Sequence, residues 1–180
     1  MLFPTSPLTS TPTGATTRSK SWRKITKACG FAAVAVTTHP HNSMAGYSGT
    51  PLPKKLGIKP NYRAAFLNLP AEVKAELDDA LSSCELTKDG RLDLAMIFTK
   101  DKAELKKQFS QFAKQLAPSG MLWVGWPKKS SGVASDLNEN DLRQIGLDVG
   151  LVDVKVCAVS DVWSGLKFVI PVKDRTKTGR

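Results

Sequence analysis

The stretch "RLDLAMIFTKDKAELKKQFSQFAKQLAPSGMLWVGW", Arg91 to Trp126, decides the fold. "RLDLAMIFT" (91–99) is a continuous apolar run of the kind found in a parallel strand covered on both faces. In "DKAELKKQFSQFAKQLAPSG" (101–120), Leu105, Phe109, Phe112 and Leu116 recur at helical spacing, while Lys102, Lys106, Lys107 and Lys114 fall mainly off that stripe. Asp101 suits the N-cap, with Glu104 three residues on, close to a capping box. Pro118 and Gly120 are expected to stop the helix. "MLWVGW" (121–126) is a second strand. Strand, helix, strand is the unit of a parallel sheet.

The same alternation extends outward. "YRAAFLNL" (62–69) reads as a strand ended by Pro70. "PAEVKAELDDAL" (70–81) reads as a helix with Val73, Leu77, Ala80 and Leu81 on one face and Pro70 near its first position. "SCELT" is a short strand. Asn138 is placed to cap a helix that buries Leu142, Ile145 and Val149 and stops at Gly150. "LVDVKVCAV" and "GLKFVIPV" are strands, joined by "SDVWS", a link short enough for an antiparallel pair. The predicted class is α/β: a single small Rossmann-like, three-layer sandwich with a mostly parallel sheet and a C-terminal antiparallel strand pair. Its predicted extent is 62–173, behind a Gly/Pro-rich extended arm (44–61) and before a polar tail (174–180).

Residues 1–43 differ in character. They are rich in Ser and Thr, carry Arg18, Lys20, Arg23, Lys24 and Lys27, and contain no acid. Disordered tail, targeting peptide and an extension upstream of a start at Met44 are the competing readings, with the first and last preferred. The chain as a whole carries a net charge of +10, but that segment supplies half of it, so the domain is only mildly basic. Both histidines, His39 and His41, lie before Met44. The domain therefore lacks Ser-His-Asp and Cys-His machinery and histidine metal sites. Three cysteines, Cys29, Cys84 and Cys157, form no C-x-x-C pair, and a reducing cytoplasm is the expected compartment. No apolar run is long enough to span a bilayer.

In an open α/β sheet, ligands bind beyond the carboxyl ends of the strands. That rule selects Asn68, Thr99 and the turn after Trp126 as candidate ligand-binding positions. Lys128 and Lys129 offer charge to an anion there, with Ser130, Ser131 and the Gly132 amide as further donors; a solvated turn is the plainer alternative. Lys54 and Lys55 form a second basic pair on the arm, in a segment without a P-loop pattern. Trp123 and Trp126 are three residues apart and should point to opposite faces. Trp163 sits in the "SDVWSG" joint, covering either a ligand or the sheet edge. Asp136, Asp153 and Asp161 are candidate carboxylates. Asp153 and Lys155 are expected to share a face and to pair, with Cys157 beside them as an inert thiol.

Two resemblances follow. "LDLAMIFT", the helix ending "LAPSG", "MLWVGW" and the closing strand pair are similar to the C-terminal half of Rossmann-like methyltransferases that use S-adenosylmethionine. Their glycine-rich loop after the first strand is replaced here by "FLNLPAEV", and only Glu85 or Asp89 lies near the place of the acid that should grip the ribose. "MAGYSGTPLPKKLGIKP", "WPKKSSGVASDL" and "GLVDVKVCAVSDVWSGLKFV" resemble the DUF3052 family of small bacterial proteins, which implies a start at Met44 and supplies no activity. The missing glycines and histidines argue against catalysis. The expected function is a non-catalytic domain that binds an anionic small molecule or an acidic partner, with no cofactor, no metal and S-adenosylmethionine disfavoured. A divergent methyltransferase-like enzyme is the alternative, and weak nucleic-acid binding through Lys54, Lys55, Lys128 and Lys129 the second alternative.

Overall fold

A computed structural model of the chain describes residues 49–175. The readings made for residues 1–43, for Met44 as a start and for most of the polar tail lie outside the described residues. The elements in order are α1 (Leu52–Leu56), β1 (Arg63–Leu67), α2 (Ala71–Ser82), β2 (Glu85–Leu86), β3 (Leu92–Phe98), α3 (Lys102–Gln115), β4 (Leu116–Pro127), a 3-10 turn at Lys129–Ser131, α4 (Glu139–Asp148), β5 (Val152–Ala158), β6 (Trp163–Val169) and a second 3-10 turn at Val172–Asp174.

They form the predicted α/β sandwich around one six-stranded sheet, ordered β2-β1-β3-β4-β6-β5. β2, β1, β3 and β4 are parallel neighbours. β6 is antiparallel to both of its neighbours, β4 and β5. The predicted antiparallel pair therefore lies side by side at one edge of the sheet. The last strand inserts between β4 and β5, and β5 becomes the edge. Burial explains the order. β6 alternates Leu166 and Phe168 with Gly165 and Lys167, and the first two are wholly buried, so the sheet gains most by covering β6 on both flanks. β5 exposes Val154, Lys155 and Val156 and tolerates an edge.

Two apolar layers flank the sheet. On one side α3 and α4 bring Leu105, Phe109, Leu142 and Ile145 against Ala95, Ile97, Leu122, Leu166 and Phe168. On the other, α1 and α2 bring Leu52, Leu56, Val73 and Leu77 against Leu94, Met96, Phe98 and Trp123. Burying each such side chain contributes about 1.5–3 kcal/mol, so both layers are needed to offset chain entropy. Phe109 meets Phe168 edge-on at 5.0 Å. Gly146 of α4 lets the helix approach that ring, since a Cβ there would lie 2.3 Å from it.

Two boundaries differ from the sequence reading. The arm contains a short helix, α1, stopped by Gly57 in the left-handed conformation. α3 ends at Gln115, not at Pro118, and Leu116–Gly120 already belongs to β4. Proline disfavours helical geometry in the residue before it, and the chain has left the helix by Leu116 (φ −64°, ψ 136°) to pair with Leu92.

Candidate functional site at the carboxyl edge of the sheet

The direction of strand crossing reverses between β1 and β3, because β2 lies on one side of β1 and β3 on the other. In open α/β sheets such a switch point is where a ligand crevice forms, at the carboxyl ends of the two strands. Asn68 and Thr99 stand at its two lips, where the sequence reading put them.

Asn68 follows β1 with φ +54°. This left-handed turn is the conformation for which glycine is the usual residue, and asparagine is among the few others that adopt it at small cost. Its side-chain amide donates to the Phe98 carbonyl and to Glu104 Oε1, both at 3.3 Å. It thus ties the end of β1 to the end of β3. Thr99 is 4% exposed, the buried polar side chain of the core. Its hydroxyl donates to Glu104 Oε2 at 2.7 Å and accepts from the Asp101 amide at 3.2 Å. Asp101 caps α3 by accepting from the Glu104 amide at 2.7 Å. The capping box is therefore half made. Glu104 turns its carboxylate away from the cap and into the crevice, where it holds both Asn68 and Thr99. Glu104 was read from the sequence only as a capping residue; the signal for its second role was a threonine five residues before it at a strand end.

The next helix on this edge, α2, begins after Pro70, and no side chain caps its first turn. Its leading amides face the region beyond β1 with the partial positive charge of a helix start.

Farther along the edge, the loop at Trp126–Gly132 closes on itself. The Ser131 amide and hydroxyl both donate to the Lys128 carbonyl, at 3.0 and 2.7 Å, and the Val133 amide donates to Ser131 Oγ. Lys128 Nζ donates to the Ser160 carbonyl at 2.6 Å. Burial pushes its pKa below the ordinary lysine value, against the pull of nearby Asp161. Lys129, Ser130 and Gly132 are exposed, and Gly132 takes φ +71° to end the turn. Lys54 is exposed on α1, and Lys55 lies against β5, where its carbonyl accepts from Lys155 Nζ at 2.9 Å. The two lysine pairs thus go to different neighbours.

Trp123 and Trp126 do face opposite layers, and the Trp123 indole donates to the Leu56 carbonyl at 3.0 Å. Trp163 stacks edge-on against Phe98 at 5.2 Å, covering the strand end. Asp136 accepts from the Lys102 amide at 2.9 Å, so it serves the start of α3. Asp153 does not share a face with Lys155. The pairing of β5 shifts register between them, and that one-residue bulge sends Asp153 to Arg143 of α4, 3.1 Å away. Cys157 does share the face of Lys155; burial raises its pKa more than Lys155 and Lys55 lower it, which keeps it a thiol. Glu85 and Asp89 stand beside Arg63, at the amino end of β1: Glu85 pairs with its guanidinium at 3.6 Å, and the Asp89 carbonyl accepts from it at 3.1 Å. β2 is only two residues long and never reaches the carboxyl edge. Among the described residues no cluster of His, Cys, Asp or Glu could hold a metal ion, and no helix is long and apolar enough to cross a membrane.

Several of the solved structures this chain is similar to are methyltransferases. A SAM-dependent methyltransferase from Aquifex aeolicus shares 14% identity over 66% of this chain and 87% of its own, with a TM-score of 0.46. Magnesium protoporphyrin IX methyltransferase from Synechocystis PCC 6803 with bound SAM shares 14% over 67% and 74%, with a TM-score of 0.45. The same enzyme with bound SAH shares 13% over 66% and 78%, also at 0.45. No family model matches the chain, so the DUF3052 resemblance rests on the sequence alone. No curated protein matches it either. The expectation of no cofactor stands against these neighbours, two of which were solved with S-adenosylmethionine or S-adenosylhomocysteine bound.

Proposed function

We propose that this chain is a divergent methyltransferase-like domain that takes S-adenosylmethionine in the crevice between β1 and β3. The observation that carries the reading is Asn68. The sequence argument against this cofactor was the absence of glycine after β1. The left-handed turn at Asn68 supplies the backbone path that glycine would supply, and it is followed by a helix start without a side-chain cap. The missing ribose carboxylate of β2 has a substitute on another element: Glu104 already accepts two hydrogen bonds in the crevice and is exposed enough to exchange them for hydroxyl or ammonium groups of a ligand. When bound, S-adenosylmethionine supplies an electrophilic methyl group. The chain's part is to hold it, with Asn68 shaping the floor and Glu104 accepting its donors. The anion-binding reading of Lys128–Gly132 has less support, since Ser131 satisfies its own turn.

The test is thermal unfolding of the full chain with S-adenosylhomocysteine. Ligand at about a hundred times its dissociation constant adds about 2.7 kcal/mol, a rise of roughly 5–10 °C for a domain of this size. Glu104→Ala should remove most of that rise. No shift at millimolar ligand sinks the reading; a full shift in the variant sinks the part given to Glu104.

A further inference from the structure

At the start of α3 the capping bonds are redistributed. In a capping box the N-cap side chain accepts from the third helical amide, and a glutamate at that third position accepts in return from the N-cap amide. Asp101 and Glu104 hold those two positions, and the first bond is made at 2.7 Å. The return bond goes elsewhere: the Asp101 amide donates to Thr99 Oγ1 at 3.2 Å. The Lys102 amide, another donor that a helix start leaves without a partner, is taken by Asp136 of the loop after β4 at 2.9 Å. Ser135 fastens the same loop by donating to the Lys100 carbonyl at 2.8 Å. These amides are therefore satisfied without the Glu104 carboxylate.

That carboxylate accepts instead from the Thr99 hydroxyl at 2.7 Å and the Asn68 side-chain amide at 3.3 Å. Both donors are neutral, and none of the ion pairs among the described residues includes Glu104. Its position is thus decided by competition between neutral donors: the Asp101 amide on the cap side, Thr99 and Asn68 on the crevice side. Thr99 acts on both sides of that competition. Its oxygen occupies the Asp101 amide, and its proton holds the carboxylate. The side chain is 4% exposed, so water is kept from replacing it in either bond.

We propose that Thr99 is a positioning residue that diverts Glu104 from the helix cap into the crevice, and that without its hydroxyl the carboxylate returns to the Asp101 amide. The inference rests on the cofactor reading for its purpose, since a carboxylate released from its cap is available to the donors of a ligand. Its geometry is independent of that reading, and so is the first arm of its test.

That arm is amide NMR and hydrogen exchange of the full chain without ligand. Thr99→Val should move the Asn68 side-chain amide signal to where Glu104→Ala places it, because in both variants the carboxylate has left the crevice. The Asp101 amide should stay protected from exchange in Thr99→Val. It should lose about tenfold of that protection or more in Thr99→Val/Glu104→Ala, where neither side chain is left to accept from it. Thr99→Ala should match Thr99→Val, and Thr99→Ser should match the natural protein. An unmoved Asn68 signal in both hydroxyl-free variants, or equal exchange of Asp101 with and without Glu104, overturns the proposal. In the second arm, Thr99→Val should bind S-adenosylhomocysteine at least about tenfold more weakly, the loss expected for one hydrogen bond to a charged group. Thr99→Ser should bind it as the natural protein does, and undiminished binding by Thr99→Val also overturns the proposal. A natural protein that does not bind sinks the cofactor reading alone, and the unliganded arm then decides whether Thr99 diverts Glu104. Unfolding midpoints confirm that the variants compared are folded.

Discussion

Phe168 and Lys167 are neighbours on β6 and point to opposite faces of the sheet. Phe168 is wholly buried against α4 and Phe109. Lys167 faces a second lysine across the ladder. On the α4 face charges are matched: Arg143 is held between Glu139 and Asp153, and Lys102 sits 2.6 Å from Asp141. The Lys102 ammonium, hydrogen-bonded to Asp141, keeps that carboxyl below its usual range. On the α1 face, lysines accumulate. One face pairs its charges across α4 and β5, and the other retains a repulsion between opposed lysines at the sheet edge.

The comparison breaks most visibly at Phe168. Phe168→Ala removes a fully packed ring and leaves a cavity under α4, where Gly146 was accommodating it. The expected loss is about 3–5 kcal/mol, read as a lower urea midpoint at an unchanged slope. A loss under 1 kcal/mol would mean that α4 collapses onto the sheet and that this layer is less tightly specified than it looks. On the other face the corresponding anchor is Trp123. Trp123→Phe keeps an aromatic ring but leaves the buried Leu56 carbonyl without its donor, costing about 1–3 kcal/mol. Hydrogen exchange at α1 should report the loosening there first, with α4 unaffected.

These two layers were largely legible in the sequence. The apolar run of β3, the stripe of α3 and the Asp101 and Asn138 caps are local signals, and local signals fix elements. What was not legible depends on pairing between distant strands. The insertion of β6 between β4 and β5 follows from which strand buries both faces, a global property. The bulge at Val154 inverts the relation of Asp153 to Lys155, which simple alternation predicted as a same-face pair. At the candidate site, the topology rule placed Asn68 and Thr99 at neighbouring strand ends, where the structure has them. It missed that Asn68 would adopt a left-handed turn, because asparagine visits that region only where context stabilises it. It also missed Glu104, whose role needs a threonine and an asparagine from two separate strands.

The smallest effect is also the one with the least ordinary sign. Lys167→Gln removes one member of the opposed pair and should stabilise the protein, by about 0.2–1 kcal/mol. The pH dependence sharpens this. The folded-state pKa of Lys167 lies below the ordinary value of 10.5, through burial first and then Lys155 and Lys59. Below the folded value, Lys167 is charged in both states and the penalty is complete. As pH rises through the folded value toward 10.5, the folded protein releases its proton first, the unfolded chain binds more protons, and stability rises. The advantage of Lys167→Gln over the natural protein should therefore be largest near pH 7 and shrink as pH approaches 10. An advantage that stays constant with pH would assign the gain to the shape of glutamine and leave no repulsion on this face to explain.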